Sequence, residues 1–155
     1  MPSLDSLRKI PTHDIALLLI RLMVGYVMFF HGAQKLLGWF GGGGFQATQD
    51  AFASMGIPLP YVSTLLAANT EFFGGLLVMG GVFTRLASIP LAFTMVVACT
   101  TAHWGKFSLQ AGGMEYALTL GVIFLALIIA GGGRYTLTAL ARRAWPQLPA
   151  VSEQL

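Results

Sequence analysis

The sequence predicts an all-α membrane protein, a four-transmembrane-helix bundle with a short amphipathic helix in the first outer loop. Hydrophobic residues make up 55% of the chain, charged residues only 10%, and the mean hydropathy is +0.72. Ordinary soluble domains carry about 25% charged residues. We therefore expect a single transmembrane domain over residues 1–155, with nearly all of its length in the spans and the loops between them.

Four apolar stretches give the predicted spans, at residues 15–37, 61–83, 86–104 and 114–130. Helices of about 17 to 23 residues cover about 26 to 35 Å, which is enough for a hydrocarbon core of about 30 Å. Arg8 and Lys9 before the first stretch are also typical of a signal peptide. That stretch is long, contains charges and lacks a small-residue cleavage pattern, so we expect a retained helix.

The first outer loop, residues 38–60, is the longest connection. After a run of glycines, Phe45, Phe52 and Met55 recur at helical spacing among polar residues, which predicts the short amphipathic helix. Pro58 and Pro60 then end this helix and lead into the second span. Two interpretations stay open: a lid over the outer end of the bundle, or a connector that covers apolar surface.

The basic residues predict the orientation of the bundle. Arginines and a lysine flank the ends that would face one side of the membrane: Arg8, Lys9, Arg85, Arg134, Arg142 and Arg143. The other side keeps only Lys35 and Lys106. The positive-inside rule then places both termini in the cytoplasm, in an inner (plasma) membrane. The net charge of +3 is explained by contact with anionic membrane lipids, and no nucleic-acid-binding motif is present.

Six ionisable residues lie inside the predicted spans or at their ends. They are Arg21, His31, Lys35, Glu71, His103 and Glu115. Charged groups are costly in hydrocarbon and often mark functional sites, so we expect these side chains to form a polar pocket inside the bundle.

The spacing of these residues along each helix predicts which of them lie close together. At 100° per residue, Arg21, His31 and Lys35 share one face of the first span, close to Gly25 and Gly32. Small residues at such positions allow a second helix to approach closely.

Glu71 lies near the middle of the second span, at a depth between those of His31 and Arg21. A carboxylate at that depth needs a proton or a cation, so we predict that Glu71 pairs with Arg21 or His31. These three residues would form the core of the pocket. The structural alternative is an ion pair that only fastens two helices.

Lys35, His103 and Glu115 would form the outer rim of the pocket. Two of them also have structural explanations. His103 fits an interfacial polar side chain, and Glu115 fits a carboxylate stabilised by a helix N-terminus.

Several kinds of chemistry lack a sequence signal. No two metal-ligating residues repeat at helical spacing on one span, so we predict no metal site. Cys99 is the only cysteine, which excludes an internal dithiol. The glycines at 41–44 follow no strand and precede no phosphate-binding lysine, so a dinucleotide site is not predicted and no cofactor is expected to be held covalently.

Together these segments make the chain similar to the DoxX family of four-helix membrane proteins, over about residues 12–138. The matching segments are Arg21-Leu22, His31-Gly32-Ala33-Gln34-Lys35-Leu36, Phe40-Gly41-Gly42 with Phe45, Gly56-Ile57-Pro58, Glu71-Phe72-Phe73-Gly74-Gly75-Leu76, Thr84-Arg85, His103, and Gly112-Gly113-Met114-Glu115-Tyr116. The resemblance implies an association with membrane redox systems, including quinone-linked ones, and it covers all six polar residues.

The resemblance and the polar residues together predict a redox-associated protein that binds a quinone or a similar small apolar ligand. His31 and Glu71 are the candidate catalytic residues, as proton donor and acceptor, and Arg21, Lys35, His103 and Glu115 are the candidate ligand-binding residues. The lack of a dithiol or cofactor motif argues against oxidoreductase activity of this chain by itself. The resemblance implies a subunit of a quinone-linked oxidoreductase, with a redox protein as partner. The alternatives are a structural anchor for a partner complex or a small permease, and the glycine-rich helix faces are compatible with a homo-oligomer.

Overall fold

The computed structural model describes residues 11–144, and these residues form helices and loops without strands. The helices are α1 (Thr12–Leu37), α2 (Gly44–Ser54), α3 (Pro60–Gly80), α4 (Thr84–Thr101), α5 (Glu115–Ala130) and α6 (Leu137–Ala144), with single 3₁₀ turns at Trp39–Gly41 and Leu109–Ala111. The predicted all-α fold with a short helix in the first loop is confirmed. Arg8 and Lys9, on which the predicted orientation partly depends, lie outside the described residues.

Helices α1 and α3 pack antiparallel with their backbones in close contact. A Cβ atom on Gly25 would lie 2.7 Å from the carbonyl oxygen of Gly75, and one on Gly75 would lie 2.5 Å from the backbone nitrogen of Phe29. A Cβ atom on Gly32 would overlap the backbone of Phe72. The predicted close approach at Gly25 and Gly32 is therefore confirmed, and it fixes which residues of α1 face which residues of α3.

Helices α4 and α5 form a second antiparallel pair that encloses most of the apolar core. Leu91, Met95, Leu120, Phe124 and Leu127 are buried between them. The two helix pairs are joined along α3 and α4, where the side chain of Leu91 packs close to Gly74. The bundle order is thus α1, α3, α4 and α5.

The outer faces of the long helices are apolar. Leu19, Met23, Leu66 and Phe93 are each more than 60% exposed, although they lie within the long helices. Helices α1, α3 and α4 are long and apolar enough to cross a membrane, and α5 is a shorter apolar helix of 16 residues. An apolar exterior over an apolar core is typical of a bundle whose solvent is lipid, and the chain is a membrane protein.

The two ends of the bundle differ in their polar residues. At the first end, called here the lysine end, Lys35 lies in the last turn of α1, one turn from His31, whose ring contacts that of Tyr116 at the start of α5. Helix α2 packs on α1 and α3, and the ring of Phe45 contacts that of Tyr61, with centroids 5.4 Å apart. At the other end, called the arginine end, Arg21 lies beside the end of α3 and the segment before α6.

We expect Gly32→Ala to destabilise the bundle by about 1–3 kcal/mol, because the new methyl group would overlap the backbone of Phe72 and force α1 and α3 apart. The matched control is Gly121→Ala on α5, where a Cβ atom would make an ordinary contact of 3.4 Å with Met95. Thermal unfolding in detergent measures both. Equal melting temperatures for the two variants would contradict the close contact.

Candidate functional site

The lysine end contains an ion pair between the two antiparallel helices α1 and α3. The ammonium group of Lys35 donates a hydrogen bond to Oε2 of Glu71. The side chain of Glu71 is only 4% exposed, whereas that of Lys35 is 26% exposed. The carboxylate is therefore buried, and its cation connects it to the surface of the bundle.

The prediction that Glu71 pairs with Arg21 or His31 is wrong. The contact between Gly32 and Phe72 sets the register, and it places Glu71 beside the last turn of α1. Lys35 lies one turn after His31 on α1, and its long, flexible side chain extends to the carboxylate of Glu71. Glu71 is buried, as its position in the second span predicts, but its cation is Lys35.

Arg21 lies at the opposite end of the α1–α3 contact and has different partners. It is fully buried, and its guanidinium donates hydrogen bonds to the backbone carbonyls of Val78, Met79 and Tyr135. Two of these carbonyls belong to the last turn of α3, where the helix dipole favours a positive charge. Arg21 is thus separated from Glu71, and it joins α1 and α3 to the segment that leads into α6.

His31 lies in a network of aromatic rings at the lysine end. Its ring contacts Phe30, with centroids 5.7 Å apart, and Tyr116 at the start of α5, with centroids 6.4 Å apart. The histidine therefore brings α1 and α5 together, and it lies one turn from Lys35 on the same helix.

The aromatic network continues across α1, the 3₁₀ turn and α3. Phe30 stacks on Phe40 with centroids 4.8 Å apart, Phe29 contacts Phe72 at 5.1 Å, and Phe72 contacts Phe73 at 5.0 Å. Phe72 directly follows Glu71 in the sequence. Phe30, Phe40, Phe29, Phe72 and Phe73 thus form a connected set of rings at the same end of the bundle as the ion pair.

Phe40 adopts a backbone conformation that is unusual for its residue type. Its φ is 54° and its ψ 34°, in the left-handed region, which is unfavourable for a bulky side chain. The conformation directs the ring onto Phe30 and against Phe29. Strained backbone conformations of this kind are often found at functional sites, and the residue type at this position did not indicate one.

His103 and Glu115 organise the loop between α4 and α5. Nδ1 of His103 lies 2.8 Å from the carbonyl oxygen of Gly112, and Oε2 of Glu115 accepts a hydrogen bond of 2.9 Å from the backbone nitrogen of Leu109. Glu115 is also the first residue of α5, where a carboxylate is favoured by the helix dipole. The structure gives these two predicted rim residues contacts within their own loop.

The six ionisable residues therefore form separate groups. Lys35 and Glu71 pair directly, His31 lies among the rings beside them, Arg21 holds the opposite end, and His103 and Glu115 brace a loop. Within residues 11–144, no three histidine, cysteine or carboxylate side chains come together in an arrangement that could hold a metal ion. The chemistry available at the lysine end is proton exchange, hydrogen bonding and ring stacking.

Comparisons with known proteins support a shared family. A model of the DoxX family matches residues 16–104. CatD of Bacillus subtilis (strain 168), provisionally named an oxidoreductase, is 32% identical over 74% of this chain and 79% of its own. The inner membrane proteins YphA and YqjF of Escherichia coli (strain K12) are 27% and 28% identical over 79% and 85% of this chain, and 88% and 96% of theirs. No solved structure matches the chain significantly.

We expect Lys35 and Glu71 to be energetically coupled. Glu71→Gln or Lys35→Met alone should each lower the free energy of unfolding by about 1–3 kcal/mol, because the first leaves the ammonium without its counter-charge and the second leaves a buried carboxylate without its cation. The double variant should lose clearly less than the sum of the two single losses. Melting temperatures of all four proteins in detergent measure the coupling, and strictly additive losses would show that the two groups act independently.

Proposed function

Because the chain belongs to the DoxX family of membrane proteins, we propose that it is an inner-membrane component of an oxidoreductase system and binds a quinone at the lysine end of its bundle. The observation that carries this proposal is that the Lys35–Glu71 ion pair and the aromatic network lie at the same end of the bundle. The oxidoreductase name of CatD is in accord with a redox setting.

The aromatic rings supply the apolar part of the proposed site. A quinone head is flat and aromatic in size, so it can stack against Phe40, Phe30 or Phe72. These rings already lie about 5 Å from a neighbouring ring. A bound head would extend the network that exists at the end of α1.

The ion pair and His31 supply the polar part. The ammonium group of Lys35 can donate a hydrogen bond to a quinone carbonyl, while the carboxylate of Glu71 and the imidazole of His31 can exchange protons with it. Reduction of a quinone to a quinol takes up two protons and two electrons. The chain contains a single cysteine and hence no dithiol, so the proposal requires a redox protein partner that delivers the electrons.

The candidate residues have different roles in the proposed site. Lys35 becomes a binding residue at the centre of the site, beside the candidate catalytic residues His31 and Glu71. His103 and Glu115 act through the loop they brace, which leads directly to Tyr116 beside His31. Arg21 takes part only by holding the far end of the two helices in register.

We also propose the membrane in which the protein lies and its orientation there. YphA and YqjF are named inner membrane proteins, and an inner (plasma) membrane with cytoplasmic termini is what the positive-inside rule favours for this chain. Arg85, Arg134 and Arg143 at the arginine end would then face the cytoplasm, and the quinone site would lie in the outer half of the bilayer.

Equilibrium titration of the purified full-length protein in lipid nanodiscs with ubiquinone and menaquinone tests the proposal. We expect saturable binding that weakens about ten-fold or more in Lys35→Met, since a hydrogen bond to a charged group contributes about 1.5–3 kcal/mol. Glu71→Gln should weaken binding as well, because it removes the charge that holds the ammonium group of Lys35 in place. Phe40→Leu should also weaken binding, because it removes a ring that can stack with the ligand.

The matched control for Glu71→Gln is Asp14→Asn, which makes the same change of a carboxylate to an amide at the arginine end. Its quinone affinity should equal that of the unmodified protein. Absence of saturable binding, or equal affinities for Glu71→Gln and Asp14→Asn, would contradict the proposal and leave the ion pair as a fastening between α1 and α3.

A further inference from the structure

A groove at the arginine end lies far from the site just described. It is open to the surface, has a volume of about 590 Å³ and runs between α1, the end of α3 and the segment that includes α6. Ligand sites in proteins commonly have volumes of about 300–1,000 Å³. The groove is thus large enough to hold part of a small amphiphile.

The walls of the groove are mainly aliphatic. Leu22 of α1, Leu76 and Met79 of α3, and Leu137 and Leu140 of α6 all line it. Leu137 is 58% exposed and Leu140 62% exposed, so the α6 side of the groove is uncovered among the described residues. Such a surface is suited to a hydrocarbon chain.

Two arginines also line this groove. Arg134 precedes α6 and Arg143 lies in its last turn, and both residues are exposed. No carboxylate within residues 11–144 forms a salt bridge with either guanidinium. The groove therefore combines apolar walls with positive charge that a phosphate group would complement.

The backbone around the groove is held by specific contacts. The backbone nitrogen of Arg134 donates to Oδ1 of Asp14 at 3.0 Å, the hydroxyl of Thr138 donates to the carbonyl of Gly81 at 3.0 Å, and the buried Arg21 binds the carbonyl of Tyr135. The segment is thereby fixed to α1 and α3, so the groove is a formed feature of the bundle.

We propose that this groove binds an anionic phospholipid, with an acyl chain along the leucines and the phosphate facing Arg134 and Arg143. Helix α6 has the composition of an interfacial helix, with leucines on one side and adjacent arginines at its end. Basic pockets beside transmembrane helices are suited to anionic lipid headgroups. The lipid would bind independently of any ligand at the lysine end.

Native mass spectrometry of the full-length protein in detergent, titrated with phosphatidylglycerol or phosphatidylcholine, tests this site. We expect one phosphatidylglycerol to be retained in preference to phosphatidylcholine. Arg134→Gln and Arg143→Gln should each weaken phosphatidylglycerol binding about five-fold, the equivalent of about 1 kcal/mol per arginine near the headgroup. Lys106→Gln at the lysine end removes the same charge and should leave the affinity unchanged.

A groove-filling variant separates a lipid in the groove from lipid attracted to surface charge. Ala139 lines the groove, so Ala139→Phe should fill it and reduce retention of phosphatidylglycerol with both arginines intact. A melting temperature close to that of the unmodified protein in lipid-free detergent would show that Ala139→Phe folds. Equal retention of the two lipids, equal effects of the arginine variants and Lys106→Gln, or unchanged retention by a folded Ala139→Phe would each overturn the proposal.

Discussion

The close contact between the backbones of α1 and α3 is the constraint on which the rest of the structure depends. Gly25, Gly32 and Gly75 leave no room for side chains between these helices. In lipid, helices gain little from burying apolar surface against one another, so close packing and polar contacts must hold them together. The glycines allow the close packing, and they set the register in which the polar contacts form.

In that register the same pair of helices provides partners for two cations, and the partners are of different kinds. At the lysine end a carboxylate meets Lys35, and at the arginine end the backbone carbonyls at the end of α3 surround Arg21. The first arrangement can change its protonation, since it includes a carboxyl group and lies beside His31. The second consists of a guanidinium and backbone groups, and it is suited to a permanent structural role.

The sequence predicted the fold because its signals are local. Apolar runs of sufficient length and the periodic side chains around Phe45 and Phe52 are readable without knowing the neighbours, and the glycines on the face of Arg21 indicated a close helix contact. The same arithmetic identified Glu71 as a buried carboxylate.

The partners within the site were less predictable because they depend on register and side-chain reach. The sequence position of Lys35 predicts a rim residue, yet its side chain reaches Glu71, because a lysine side chain can extend over about a helical turn. The partners of His103 and Arg21 include backbone carbonyls, and any residue type can supply those. The left-handed backbone of Phe40 could not be predicted from the sequence either, because this conformation is usually adopted by glycine and not by phenylalanine.

The contact between Arg21 and the carbonyl of Tyr135 has a consequence for biosynthesis. The two residues are separated by 114 positions, so the first span leaves the ribosome long before its last carbonyl partner is made. Until α3 is in place, the arginine must remain hydrated or near the membrane surface, where a long side chain can reach water. Synthesis of α3 and then of the segment around Tyr135 would thus complete the hydrogen bonds that hold the first helix at its final depth.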